Sequence, residues 1–306
     1  MIFPAKKALT QALLVMNKTV NELDSIMDPL MLTLIFLAIP IGILIGLGAG
    51  VIGMTAWPLI VPLLLVFGGY PLHEVLLSSM LVDLVIAANL SVFYLRKPEL
   101  EIDGMYATKL GATAGIVATI TAIAVFPILA QYSHLFKGGS TIVTMILGSL
   151  FIVQAVRMNN VPGLKANDIP EESSRNRFSD RQKDAIAYGF CIIQGFLTGL
   201  LAMGGAMNIV IVLMFLIGYP TLRAVGTAMI TTTIMLTMTV IAYLILMQFT
   251  LSTLPLVILY LVLAAVSSYV AVIKVQHIPE RKLRFTIGIV ILASAIFASV
   301  QVFMIS

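Results

Sequence analysis

The sequence predicts an all-α polytopic membrane protein made of two inverted five-segment repeats, each with a broken or half-length helix around a central cavity. The first observation is composition: 60% of the 306 residues are hydrophobic, 10% are charged, and the mean hydropathy is +1.07. A water-soluble core cannot bury that much apolar surface. The second is the length of the apolar segments, which suits helices of roughly 17–25 residues and not barrel strands of about ten.

The third observation is a duplication, because residues 46–82 and 195–231 align without a gap at an offset of 149 residues. Residues identical in both copies include Gly46 and Gly195, Gly50 and Gly199, Met54 and Met203, Ile60-Val61 and Ile209-Val210, Gly69-Tyr70-Pro71 and Gly218-Tyr219-Pro220, and Met80 and Met229. Duplicated halves with glycine breaks inside hydrophobic segments are common in secondary transporters.

Ten hydrophobic segments, five in each half, make up the repeats. They lie near residues 30–48, 55–67, 73–95, 105–129, 139–157, 184–202, 206–217, 222–247, 254–274 and 285–305. At a rise of about 1.5 Å per residue, the second and seventh are too short to cross roughly 30 Å of hydrocarbon comfortably. We expect half-helices there, and whether they cross the membrane or re-enter it stays open.

Glycine-rich breaks precede both half-helices, at residues 46–55 and 199–205. Irregular backbone at membrane depth needs protein groups or a water-filled cavity to satisfy its amides. A cavity is our interpretation, because the break recurs in both halves and a short helix follows each copy. The alternative is close helix packing, since Gly46 and Gly50 also fit the small-xxx-small spacing.

The placement of basic residues favours the inverted arrangement. Five crossings in each half put most of them on one side, namely Arg96, Lys97, the loop 157–183, Arg223, Lys274, Arg281, Lys282 and Arg284. That side is predicted to be cytoplasmic, with both termini outside. The formal net charge of +4 comes from few residues, mostly in loops, so it reports membrane orientation and no nucleic-acid partner is expected.

The chain divides into four predicted parts: an amphipathic N-terminal segment at 1–29, membrane repeats at 30–157 and 184–306, and a solvated linker at 158–183. In the N-terminal segment, apolar residues recur at helical spacing and form one stripe, as in a helix that lies on a membrane surface. The same spacing also fits a dimer-forming coil, so a homodimer is the alternative.

A glycine-rich break, a short apolar helix, a Gly-Tyr-Pro turn and a small-residue motif follow one another in each half. The matching stretches are 53–58, 69–71 and 77–79 in the first copy and 195–205, 218–220 and 223–228 in the second. This order resembles the sulfite exporter TauE/SafE family over essentially the whole membrane domain. The chain departs from the family pattern where the glycine triplet is reduced to Gly53 and to Gly204-Gly205, and where Ala228 stands for a serine.

The resemblance implies a multi-pass transporter of the prokaryotic plasma membrane that moves small sulfur-containing anions such as sulfite, thiosulfate or organosulfonates like sulfoacetate. Amides at the start of a half-helix, aided by the helix dipole, can bind such an anion. The candidate substrate-binding residues lie at the breaks and early in the helices that follow: Gly53, Met54, Thr55, Trp57, Ser78, Ser79, Gly204, Gly205, Asn208 and Thr227. Capping alone would also explain the hydroxyls, and packing would explain Trp57.

Asp83, in the body of the third segment, is the most informative single charge. A carboxylate in hydrocarbon is costly, so it is usually paired, faces a cavity, or is protonated during part of a cycle. We therefore expect a role in proton coupling, with structural pairing as the alternative. The residue at the matching position is Thr232, so the carboxylate belongs to one copy only.

Three classes of function compete for this sequence. A secondary transporter in the lipid bilayer, with a small anionic substrate, is favoured, and an anion channel or a non-transporting membrane scaffold is the alternative. An enzyme is disfavoured, because His73, His134 and His277 fall on separate loops or ends without ligand spacing. No cofactor, metal site or nucleotide-binding motif is expected.

Overall fold

A computed structural model describes residues 29–129, 179–246 and 253–274, together with isolated helical positions within 145–153 and 285–296. Within these ranges the chain forms helices and connecting turns, and no strand. The predicted N-terminal segment, most of the predicted linker and most of the fifth and tenth segments lie outside the described residues, as does the alternative of a dimer-forming coil.

Eight helices are described in chain order. They are α1 (Pro29–Ile52), α2 (Trp57–Pro62), α3 (Leu72–Leu95), α4 (Gly104–Leu129), α5 (Asp180–Leu201), α6 (Ala206–Val212), α7 (Thr221–Leu246) and α8 (Leu254–Lys274). All except α2 and α6 are long and apolar enough to cross a membrane. The predicted all-α polytopic fold is confirmed.

The two short helices are built alike. Each continues as one π-helical stretch, Leu63–Phe67 after α2 and Leu213–Ile217 after α6. Left-handed backbone interrupts the chain before each of them at matching positions, with φ of +72° at Gly53 and +57° at Ala202. An L-residue pays roughly 1–2 kcal/mol for that conformation, so the second break is held by its surroundings.

The long helices pack in an exchanged pattern, in which the first helix of each half lies on the fourth helix of the other. Thus α1 packs on α8, and α5 packs on α4. Glycines allow both contacts: a Cβ at Gly46 would collide with Ser267, and one at Gly195 would collide with the carbonyl oxygen of Ala114. Small residues at such contacts let helix backbones approach closely.

A pair of tyrosines repeats this symmetry in hydrogen bonds. The hydroxyl of Tyr94 on α3 donates to the carbonyl oxygen of Gly50 at 3.4 Å. At the matching positions, the hydroxyl of Tyr243 on α7 donates to the carbonyl oxygen of Gly199 at 3.2 Å. The third helix of each half is therefore fastened to the first helix of the same half in the same way.

The matching helices α3 and α7 run in opposite directions. A Cβ at Gly226, early in α7, would lie 3.2 Å from Cβ of Tyr94, late in α3. Further back along α3, the hydroxyl of Ser91 lies 3.0 Å from that of Thr233, further along α7. These contacts support the inverted relation of the repeats, which stays a prediction for the chain as a whole.

The remaining helices follow one or the other of this pair. Helix α8 runs with α3, since Ser78 Oγ lies 2.7 Å from Thr253 Oγ1 and Asn89 donates to the carbonyl oxygen of Ala265 at 3.2 Å. Helix α4 runs with α7, because Gly111 faces Thr231 and Gly115 faces Met235. Helix α5 runs with α4 through contacts of Gly195 and Gly199 with residues 114 and 118.

One end of the bundle consequently holds the ends of α3 and α8 and the starts of α4, α5 and α7. Every lysine and arginine in the described ranges lies there: Arg96, Lys97, Lys109, Arg181, Lys183, Arg223 and Lys274. The middle of the bundle, where the two breaks lie, has no basic side chain among the described residues.

Replacing Gly195 by alanine is expected to loosen α5 from α4, because the new Cβ would collide with a backbone carbonyl. Overpacking of this kind costs about 1–3 kcal/mol. Gly189 on the same helix has no atom within 4 Å of an added Cβ, so Gly189→Ala is the matched control. Thermal unfolding of detergent-solubilised protein should show a lower melting temperature for G195A alone. Equal losses in both variants would contradict the packing.

Candidate functional site

The two breaks meet in the interior of the bundle. Gly53 of the first break lies beside the start of α6, where an added Cβ would be 3.6 Å from the backbone nitrogen of Met207. Trp57, the first residue of α2, is 2% exposed, and its indole N–H donates to the carbonyl oxygen of Leu201 at 2.6 Å. The ring therefore joins the first break to the last residue of α5, next to the second break.

Asp83 lies where these elements converge, and its side chain is buried. Its Oδ1 accepts a hydrogen bond from the backbone N–H of Ala56 at 2.5 Å, at the residue that precedes α2. A charged acceptor makes such a bond strong. Oδ2 is buried without a hydrogen-bond partner in the described part of the chain. On the other side Gly204 lies so close that an added Cβ would collide with the carboxylate.

A small cavity opens beside the carboxylate. Its lining comes from α1, the first break, α3, the start of α6 and α7: Ala49, Met54, Thr55, Asp83, Ile86, Ala87, Ala206, Met229 and Thr232. Its volume of about 10 Å³ gives room for roughly one water molecule. This cavity lies beside the first break, and in this conformation it is too small for a sulfur oxyanion; the larger central cavity stays a prediction.

The second break is satisfied in a different way, by uncharged side chains. The amide of Gln194 donates to the carbonyl oxygen of Met203 at 3.3 Å, and the hydroxyl of Thr198 donates to the same oxygen at 2.6 Å. Asn208 Nδ2 in turn donates to Gln194 Oε1 at 3.0 Å. Gly205, with φ of +73°, lies against the Gln194 side chain and leaves no space for a Cβ.

The predicted site residues fall into three groups around this centre. Met54, Thr55 and Asp83 line the cavity, with Gly53 and Gly204 in contact with its walls. A second group does not line the cavity and lies around the second break and the indole hydrogen bond: Trp57, Gly205 and Asn208.

The hydroxyl residues Ser78, Ser79 and Thr227 form the third group, which lies outside the cavity lining. Ser78 donates to the carbonyl oxygen of Glu74 and contacts Thr253, so its hydroxyl faces α8. The hydroxyls of Ser79 and Thr227 are buried without a hydrogen-bond partner among the described residues. None of the three lines the cavity.

Sequence reasoning left several lining and supporting residues out of the site. Thr232 and Met229 line the cavity, and Gln194 and Thr198 close the second break. Repeat register offered a signal for Thr232, because it occupies the position that matches Asp83. Nothing in the sequence distinguishes Thr198 from the other threonines of the chain.

A duplicated bundle of membrane-length helices, interrupted by paired half-helices that meet around a buried polar centre, is the architecture of secondary transporters. The profile of the sulfite exporter TauE/SafE family matches residues 37–298, nearly the whole chain, and the protein belongs to that family. Membership makes it a membrane transporter of sulfur anions such as sulfite. No curated protein and no solved structure matches the chain.

Replacing Gly204 by alanine is expected to displace the Asp83 carboxylate and weaken its bond to Ala56. Because the collision is with the Asp83 side chain, G204A should cost less stability when Asp83 is already alanine. Contacting residues couple by about 0.5–3 kcal/mol in double-mutant cycles, and thermal unfolding of the two single variants and the double variant measures that coupling. Additive effects would contradict the contact.

Proposed function

We propose that the protein is a secondary transporter that moves sulfite, thiosulfate or organosulfonates such as sulfoacetate by alternating access, and that Asp83 couples this movement to protons. The observation that carries the proposal is the position of Asp83. Its carboxylate is 5% exposed and stands at the junction of the two breaks, with one oxygen bonded to the backbone and one without a partner among the described residues.

Charge compensation is the physical argument for coupling. An unpaired carboxylate in a membrane interior is expensive, and titratable groups there commonly belong to proton pathways. The lysines and arginines of the described ranges all lie at one end of the bundle, away from Asp83. A proton is the compensating charge that needs no basic side chain and fits a water-sized cavity.

The bond between Asp83 and Ala56 links the proton to the anion. In this conformation the carboxylate occupies the backbone N–H that would otherwise be available to a substrate oxygen. Protonation removes the charge from Asp83 and weakens that bond. The freed amide then becomes a donor for the sulfur anion, so proton and anion enter the site together.

Alternating access supplies the space that the substrate needs. The cavity has room for roughly one water, so it must widen to admit a sulfur oxyanion. The first helix of each half packs on the fourth helix of the other half, α1 on α8 and α5 on α4. Rocking of one repeat against the other around a fixed site is the motion that such a build permits.

The predicted substrate-binding set follows from this geometry as part of the proposal. Gly53, Met54, Thr55 and Gly204 would contact the anion once the cavity widens, and Trp57 would hold the two breaks together while it does. The outer members Gly205, Asn208, Ser78, Ser79 and Thr227 would require larger rearrangements to reach it. The protein would lie in the plasma membrane of a prokaryotic cell. The basic end of the bundle would face the cytoplasm.

Replacing Asp83 by asparagine tests the coupling, because asparagine keeps the shape and cannot take up a proton. In proteoliposomes with a pH gradient, D83N should accumulate at least tenfold less radiolabelled sulfite than the wild type. Exchange of external for internal sulfite, which needs no net proton movement, should continue. The control is Asp103→Asn, whose exposed side chain caps α4 by accepting from Tyr106 N–H, and it should behave as the wild type.

The same assay separates the alternatives. Wild-type accumulation that persists in D83N would contradict coupling through Asp83. Sulfite flux that neither saturates nor accumulates would indicate an anion channel. The absence of any flux of sulfite, thiosulfate or sulfoacetate in the wild type would favour a scaffold and would overturn the proposed function.

A further inference from the structure

The threonines of α7 differ in the partners of their hydroxyls, and two, Thr227 and the cavity residue Thr232, have none among the described residues. Four of them donate to the carbonyl oxygen one turn earlier, at 2.7–2.9 Å: Thr231 to Thr227, Thr233 to Met229, Thr237 to Thr233 and Thr239 to Met235. This is the usual bond of a threonine hydroxyl inside a helix. Thr232 is 1% exposed, yet its hydroxyl has no partner within the described residues.

A buried hydroxyl that leaves the nearest carbonyl unused is directed toward some other partner, because an unsatisfied buried polar group is costly. Thr232 lines the cavity together with Asp83. The oxygen Oδ2 of Asp83 is the other buried, unpartnered side-chain atom in that lining. These two residues also occupy matching positions in the duplicated sequence.

The cavity that these two residues line suits a single water molecule. The volume of about 10 Å³ corresponds to roughly one water, and two unsatisfied oxygens are the polar partners that an internal water requires. Among the described residues no other titratable group lines the cavity with Asp83, because α1, the first break, α6 and α7 contribute only alanine, methionine and threonine.

We infer, on the basis of the proposed function, that Thr232 is the positioning residue of the coupling site and holds a water between its hydroxyl and Oδ2 of Asp83. A proton arriving as hydronium passes to Oδ2 and leaves that water behind as neutral H₂O. A hydroxyl can both donate and accept. Thr232 therefore holds the water in both protonation states of Asp83. The carboxylate accepts a hydrogen bond from the water, the protonated acid donates one to it, and the Thr232 hydroxyl supplies the complementary bond in each case.

The test compares three substitutions on α7 in proteoliposomes with radiolabelled sulfite. Thr232→Val removes the hydroxyl at nearly constant shape, and Thr232→Ser restores it. Thr239→Val makes the same change at a buried threonine that has the usual bond to the carbonyl of Met235, and serves as the matched control. Each variant is assayed for accumulation driven by a pH gradient and for sulfite exchange without one.

T232V should lose about tenfold in proton-driven accumulation, which is the equivalent of one net hydrogen bond, while exchange stays within about twofold of the wild type. T232S should recover accumulation, and T239V should keep both activities. Unchanged accumulation in T232V, or a parallel loss of accumulation and exchange that serine does not rescue, would overturn the inference. Wild-type protein without sulfite exchange would instead be a failure of the proposed function.

Discussion

The bond from the Ala56 amide to the Asp83 carboxylate is the interaction on which the centre of the structure depends. A break in a membrane helix exposes amides that hydrocarbon cannot satisfy. Here Asp83 on α3 accepts a hydrogen bond from one of these amides. Gly204, which has no side chain, leaves space for the carboxylate beside the second break. The carboxylate thus contacts the residue that precedes α2, the second break and the cavity at once.

The two copies keep one scaffold and solve the same backbone problem by different chemistry. Glycine contacts between helices and the bonds from Tyr94 and Tyr243 recur at matching positions. At the breaks the copies diverge, since Asp83 holds the first and Gln194 with Thr198 closes the second. In the proposed mechanism, duplication supplies two halves that move against each other, and the divergence gives one of them a group that carries a proton.

Sequence alone predicted the helices, the paired breaks and a carboxylate inside the bundle at Asp83, because each leaves a local trace: hydropathy, recurring glycine and a charge in an apolar run. It did not predict which hydroxyls face the cavity. Ser78 and Thr232 both carry a hydroxyl, and what distinguishes them, the contact of Ser78 with Thr253 and the place of Thr232 beside Asp83, depends on residues far away in the chain. The closing of the second break by Thr198 was equally hidden, because a threonine in a helix carries no mark of its acceptor.

Infrared difference spectroscopy of the purified protein, recorded on addition of sulfite, tests most directly whether proton and anion enter the site together. The account predicts that a carboxylic-acid C=O band appears as a carboxylate band is lost, and that Asp83→Asn abolishes both changes. Sulfite binding that leaves the carboxylate bands of the wild type unaltered would contradict it, because Asp83 would then stay ionised beside the bound anion.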